Sequence, residues 1–351
     1  MALAERETMP FPALETDVSG APLVLLFYHG YERYALPGVG GSLYSNGRRI
    51  ARYAWRSLRR RQVHTGFYTA FLSLVRSLRA AGCNVRINDF AAARARPHYP
   101  IGLAGYPGVI EAVDLPNPVV FGHGDLGLPD RTVQIAGQER MRILIQPCQW
   151  AVDYNRPYCG DKLRVWPAGV DRYTGPQMAL ADKPVDFLIY DKIRWHRDQR
   201  VPEVLDRVTE RLDKAGRSHR VLRYGGHIRS DYDSALKECR ALLFLCEHET
   251  QGLAYQEAMA ANVPVLAWDE GELVDPILRR FASPKLTVSS VPYFDERCGM
   301  TFRIDDFEDV LPLFWSRLGS FEPRAYMNER LSMERAATDY LALYSSLAVT
   351  C

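Results

Sequence analysis

The chain has no apolar run approaching the roughly 20 residues that a membrane-spanning helix requires. Nor does it carry a charge excess: basic and acidic residues nearly cancel, leaving +2 over 351 residues. The overall charge therefore gives no reason to expect a nucleic-acid partner, and none is expected. Its seven cysteines are odd in number and scattered, without a CxxC pair. That argues against both a disulfide framework and a cysteine-based zinc site, and reduced thiols in a cytoplasmic protein are the simpler expectation. Residues 1–10 are polar and contain Glu5 and Glu7, unlike a signal peptide. Internal repeats and low-complexity tracts are also missing. Gly38-Val39-Gly40-Gly41 lacks the third glycine and the strand-to-helix setting of a dinucleotide fingerprint, so a nicotinamide cofactor is not expected.

Length and ordinary composition point to a soluble α/β protein with more than one core, most naturally two domains. Leu23–Tyr28 is a continuous apolar run that reads as a buried strand of a parallel sheet. Thr65-Gly66 precedes a helix with Phe67, Phe71, Leu74, Val75 and Leu78 on one face, closed by Gly82. Val119–Phe121 runs into Gly122-His123-Gly124-Asp125, a strand-end loop of the kind that carries ligands in open α/β sheets. Asp186–Tyr190 starts a second set of strands. Pro202–Ala215 reads as a helix with proline at its first position and Gly216 just beyond its end.

The most informative stretch is residues 246–268. A buried strand, 241–246, leads through Cys246-Glu247-His248-Glu249-Thr250-Gln251-Gly252 into helix formers 253–261, and a second strand begins at Val263. Glu249 falls in the loop ahead of the helix and Glu257 on its second turn. A helix N-terminus presents backbone N–H groups and partial positive charge to a phosphate, and the two carboxylates can accept hydrogen bonds from sugar hydroxyls. The arrangement reads as a sugar-nucleotide site; two solvated acids on an ordinary strand–loop–helix are the alternative. His248-Glu249 lacks a second histidine at 252, so the zinc-protease pattern fails. Asp231-Tyr232-Asp233 spells a metal-binding Asp-x-Asp, but its place ahead of a helical segment favours capping and first-turn acids, and no metal is expected.

In this register the chain resembles the retaining glycosyltransferases of family 4. Glu249, Gly252, Leu253, Glu257, Ala258, Met259, Ala260, Pro264 and Val265 match that family's motif, while Thr250 and Gln251 replace its usual Gly and aromatic. Pro167-Ala168-Gly169-Val170-Asp171 is similar to the family's Pro-x-Gly-Val-Asp. The likeness is firm over about 142–305 and loose in the N-terminal half. It implies a GT-B fold, two Rossmann-like domains facing across a cleft. An acceptor-side domain would span 1–173, a linker 174–183, a nucleotide-sugar domain 184–330 and a returning C-terminal helix 331–351. It further implies transfer of a sugar from a nucleotide-sugar donor to a hydroxyl acceptor, with retention and no cofactor.

The resemblance also implies site roles. After the strand Phe187–Tyr190 the family carries an Arg and, five residues later, a Lys that grip the donor diphosphate; Lys192 and Arg197 stand there, with Arg194 able to replace either. Thr250, Gln251, Gly252 and Leu253 would line the donor, Glu257 would hold its ribose and Glu249 its transferred sugar. His123 would lie beside that sugar, with a structural histidine as the alternative and Asp125 as the other polar residue of its loop. Gly38–Gly41 is expected to form a mobile loop near the acceptor. Arg48–Arg61 has the pattern of a basic amphipathic helix, either an ordinary solvated helix or one lying peripherally on an anionic membrane. In the latter case the acceptor would be a lipid-linked sugar. An epimerase or phosphorylase on the same architecture and a non-catalytic nucleotide-sugar-binding module are the rival readings.

Overall fold

The computed structural model describes residues 14–16, 20–59, 63–175 and 178–348. Two parallel sheets organise it. The first has strands β1 (Leu23–His29), β2 (Asn84–Ile87), β3 (Ile101–Gly105), β4 (Val119–Gly124), β5 (Met141–Gln146) and β6 (Leu163–Val165), in the order β2-β1-β3-β4-β5-β6. The second has β7 (Val185–Asp191), β8 (His219–Arg223), β9 (Cys239–Leu245), β10 (Val265–Trp268) and β11 (Gly299–Phe302), in the order β11-β10-β9-β7-β8. The central strands read as unbroken apolar runs because helices cover both faces, leaving no side of the pleat for water. Leu23 through Tyr28 and Ala241 through Leu245 are accordingly buried without alternation.

The helices that accompany these sheets include α1 (Gly38–Leu58), α2 (Gly66–Ala80), α3 (Gln149–Cys159), α4 (Arg229–Glu238), α5 (Leu253–Ala260) and α6 (Met333–Ser345). The Thr65 hydroxyl caps α2 by accepting the Tyr68 N–H. The expected return of the C-terminal helix is present. In α6, Tyr344 accepts the Leu25 N–H and donates to the Pro100 carbonyl, and Trp166 Nε1 donates to Ala336 O at 2.9 Å. The chain thus comes back onto the first sheet after building the second.

Two local expectations need correction. Gly38–Gly41 is the first turn of α1, not a loop. A Cβ on Gly41 would stand 2.7 Å from Leu36 Cβ, so the glycine serves close packing of the helix on the preceding segment. The helix expected to begin at Pro202 begins at Arg197 and passes through a π-turn, Val201–Asp206, before continuing as Arg207–Lys214. Proline has no N–H to donate within a helix, and the wider π winding accommodates that missing bond. Of the basic segment Arg48–Arg61, residues through Leu58 lie in α1, while Arg60 and Arg61 lie outside the described residues.

Candidate functional site

The C-terminal ends of the strands of the two sheets meet. From the first sheet come Trp150, in α3 just beyond β5, and Ala168, just beyond β6. From the second come Lys192, following β7, and the segment 246–252, following β9. Trp150 Nε1 donates to Glu249 O at 2.7 Å. Gln251 spans the junction with both ends of its amide: Oε1 accepts the Ala168 N–H at 3.0 Å and Nε2 donates to Ala168 O at 2.7 Å. Tyr293 donates to Pro147 O, and Cys148, Trp150, Ala151 and Tyr154 pack with Leu273 and Val288 beside these bonds.

At the centre, Lys192 Nζ forms an ion pair with Glu249 Oε1, and both side chains are about nine-tenths buried. Burial alone would push the Glu249 carboxyl up, but Lys192 and then Arg194 outweigh it and hold the group below its ordinary value. Burial likewise works against the Lys192 ammonium, and Glu249 more than offsets it, so the lysine is raised. The pair is ionised at neutral pH. Cys246 Sγ adds a 3.4 Å donor to the same carboxylate, and the Lys192 ammonium sits 4.7 Å from the centre of the Tyr224 ring.

Gly252 gives way to α5 through a left-handed conformation, φ 76°, which favours glycine. A Cβ there would also come within 2.2 Å of the Tyr255 ring. Its turn places the N-terminus of α5, whose first amides have no acceptor within the helix, directly after the Glu249 loop. Leu253 opens the helix and Thr250 is exposed in the loop ahead of it. On the second turn, Glu257 accepts from Arg229 Nη1 at 2.5 Å, and Arg229 is shared with Asp233 at 2.9 Å. Burial raises the Glu257 carboxyl despite Arg229.

The residues to which the resemblance gives roles have defined partners. Arg197 makes a two-pronged bond with the buried Asp191, at 2.9 and 2.8 Å, so its fork braces the turn after β7. Arg194 is exposed and stacked at 4.1 Å over the Trp195 ring. The Gln251 side chain is buried in its bridge to Ala168 and to Gln256, so it joins the two halves. His123 is buried with Nε2 donating to Trp166 O at 2.9 Å, and burial lowers its pKa to about 4, so it is neutral. Its Nδ1 has no partner among the described residues. Asp125 accepts the Gly127 N–H and shapes its own turn. The Asp231 carboxylate accepts the Ile228 N–H and Asp233 pairs with Arg229, as the capping reading expects. No cluster of metal-ligating side chains occurs among the described residues.

Some participants were not singled out from the sequence. Buried Glu247 accepts the N–H groups of Arg194 (3.1 Å) and Trp195 (3.1 Å), fixing the loop after β7. His248 stacks on Trp195 with ring centres 4.6 Å apart, and burial with Arg194 lowers it to about 4. Glu247, an acid directly after the apolar run 241–246, was a usable signal, since a charge so close to a buried strand end needs partners.

No protein-family model matches the chain, and no curated protein matches it. Among solved structures it is similar to sucrose-phosphate synthase from Thermosynechococcus elongatus, with 13% identity and a TM-score of 0.57 over 93% of this chain and 99% of that one. It is also similar to WaaG, a glycosyltransferase involved in lipopolysaccharide biosynthesis (13% identity, 92% and 98% covered, TM-score 0.45). A third is S. aureus TarM (14% identity, 70% and 55% covered, TM-score 0.48), of whose length this chain spans about half. The likeness to the synthase, nearly complete in both chains, shows the fold: GT-B, two Rossmann-like units with a returning C-terminal helix.

Proposed function

We propose that this protein transfers a glycosyl group from a nucleotide-sugar donor to a hydroxyl acceptor on a glycan, a lipid-linked sugar or a small molecule, with retention of anomeric configuration. The observation that carries the reading is the buried Lys192–Glu249 pair set immediately before the N-terminus of α5, where the two sheets meet. A departing nucleoside diphosphate needs positive charge that is already in place, and a developing oxocarbenium ion needs a carboxylate that stays ionised. Arg194, Lys192 and the first amides of α5 at Leu253 supply the former. Glu249, held in its charged form, supplies the latter. On this reading Glu257 takes the ribose hydroxyls, in exchange for part of its bond to Arg229. His123 Nδ1, a buried acceptor without a partner among the described residues, is suited to a sugar hydroxyl.

On this reading donor binding needs no metal, so a chelator added to a working transfer reaction leaves most of the rate; loss that manganese or magnesium restores contradicts it. The defining experiment incubates the protein with a panel of nucleotide sugars and acceptors and reads the anomeric proton couplings of the product by NMR. Retained configuration in an acceptor-dependent product supports the proposal. Conversion of the donor without acceptor means an epimerase, transfer to or from inorganic phosphate means a phosphorylase, and binding without turnover means a non-catalytic module.

A further inference from the structure

Helix α1 faces the wrong way for a surface helix. Such a helix ordinarily turns its apolar stripe to the core and its charges to water. Here Val39, Leu43, Ile50, Ala54 and Leu58 recur every three or four residues, with Gly47 completing the seam. The large ones are open to solvent: Val39 is 79% exposed, Leu43 69%, Ile50 62% and Leu58 85%. The opposite face, polar and basic, holds the helix to the body. Ser45 is buried and exchanges two hydrogen bonds with the Tyr34 backbone, at 2.9 and 3.0 Å. Arg48 stacks 4.1 Å over the Tyr34 ring and donates to Tyr31 O, and Arg52 lies 3.9 Å from the Glu32 carboxylate. Tyr44, Tyr53 and Trp55 are exposed and flank the seam. At 1.5 Å per residue the seam is roughly 30 Å long.

Charge identifies what covers it. From Arg33 to Asn88 the sequence has eleven arginines, no lysine and no acid. The remainder of the chain then carries 33 basic and 42 acidic residues, so a nearly neutral protein is strongly polarised. A second copy of the helix would suit the seam's spacing, but it would offer the arginines of α1 no acidic partner, because residues 33–88 contain no acid, whereas paired seams are normally flanked by opposite charges. A nucleic acid would suit the arginines but leave the apolar seam without a partner. An anionic lipid surface satisfies both: aliphatic side chains enter the acyl boundary, aromatics sit at headgroup level and arginines attract the phosphates.

We propose that α1 docks the protein on an anionic membrane, lying in the headgroup layer with Val39, Leu43, Ile50 and Leu58 inserted. The helix belongs to the connection between the C-terminal end of β1 and the start of α2, the end of the first sheet that faces the second. A hydroxyl acceptor carried by the membrane would therefore meet the protein on the acceptor side. That consequence rests on the transfer reading; the docking does not, because it is measured without donor or turnover.

The test is co-sedimentation of the full chain with phosphatidylglycerol/phosphatidylcholine vesicles and with pure phosphatidylcholine vesicles, at low and high salt. The expected result is binding to the anionic vesicles that weakens with salt and is far weaker on neutral ones. The triple variant Leu43→Ser/Ile50→Ser/Leu58→Ser should lose about 100-fold in partitioning while its melting temperature stays put, since the three side chains leave water only at the membrane. Arg56→Glu/Arg59→Glu should weaken binding and flatten its salt dependence. Absence of binding to anionic vesicles, equal binding to neutral ones, or undiminished binding by the triple variant overturns the proposal. So does a concentration-dependent dimer in sedimentation velocity that the triple variant abolishes, because the seam would then be covered by a second copy.

Discussion

Replacing Lys192 by methionine keeps most of the side-chain volume and removes the cation that neutralises Glu249. Both members of the pair are about nine-tenths buried, so the orphaned carboxylate has little water to turn to. Breaking such a pair from one side costs about 3–5 kcal/mol, against about 0–1 kcal/mol for a solvated surface pair. The pH dependence follows from the directions of the shifts. In the wild type Glu249 is depressed below its ordinary 4.5, so its contribution is present above that value and fades as pH falls through the depressed one. In the variant the larger of the two charges that lower it is gone while burial and Arg194 remain, which moves the carboxyl up from its wild-type position. Relative to the wild type, an acid so raised loses stability as pH climbs from the lower folded value to the higher one. The deficit of Lys192→Met should therefore be full at neutral pH and shrink as pH is lowered towards the wild-type value of the carboxyl. Adding Glu249→Gln should recover most of it, because the double variant leaves no buried charge unpaired. Urea unfolding of the wild type, both single variants and the double variant at several pH values measures all of this. A neutral-pH deficit below about 1 kcal/mol, or one that ignores pH, refutes the picture of a buried, ionised pair.

The kinetic roles of the two glutamates separate in the same way. Glu249→Gln should lower kcat while leaving nucleoside diphosphate affinity nearly intact, because its charge matters most as the sugar becomes cationic. Glu257→Gln should instead raise the donor KM by roughly 10- to 100-fold, the worth of one charge-assisted hydrogen bond, because the ribose does not change during reaction. The reverse pattern in steady-state kinetics set beside calorimetry would overturn the assignment.

The elements most legible in the sequence were those whose burial pattern is uniform. Leu23–Tyr28 and 241–246 announce themselves as buried strands because neither face meets water. The Glu249–Gly252–Glu257 spacing was equally readable, since Gly252 must turn left-handed before α5 can begin. Partnerships that cross between the two sheets were not readable. Nothing local to Gln251 says that it closes on Ala168, 83 positions earlier. Arg197 matched a ligand-gripping position by spacing, and only the fold brings buried Asp191 against it. Likewise Gly38–Gly41 suggests a loop by composition, until Leu36 is seen to require the missing Cβ at Gly41. Propensity favoured one outcome and tertiary contact imposed another.

The central claim is that the loop from Glu249 to Gly252, together with Lys192 and Arg194, forms a nucleoside diphosphate site. Isothermal titration of the wild type and Arg194→Ala with a panel of nucleoside diphosphates tests it most directly. Arg194 is exposed, so its loss should spare the fold. Saturable binding of at least one nucleoside diphosphate is expected, weakened about 10-fold or more in Arg194→Ala as one charge-assisted phosphate contact is lost. Absence of binding across the panel, or equal affinity in wild type and variant, would contradict it.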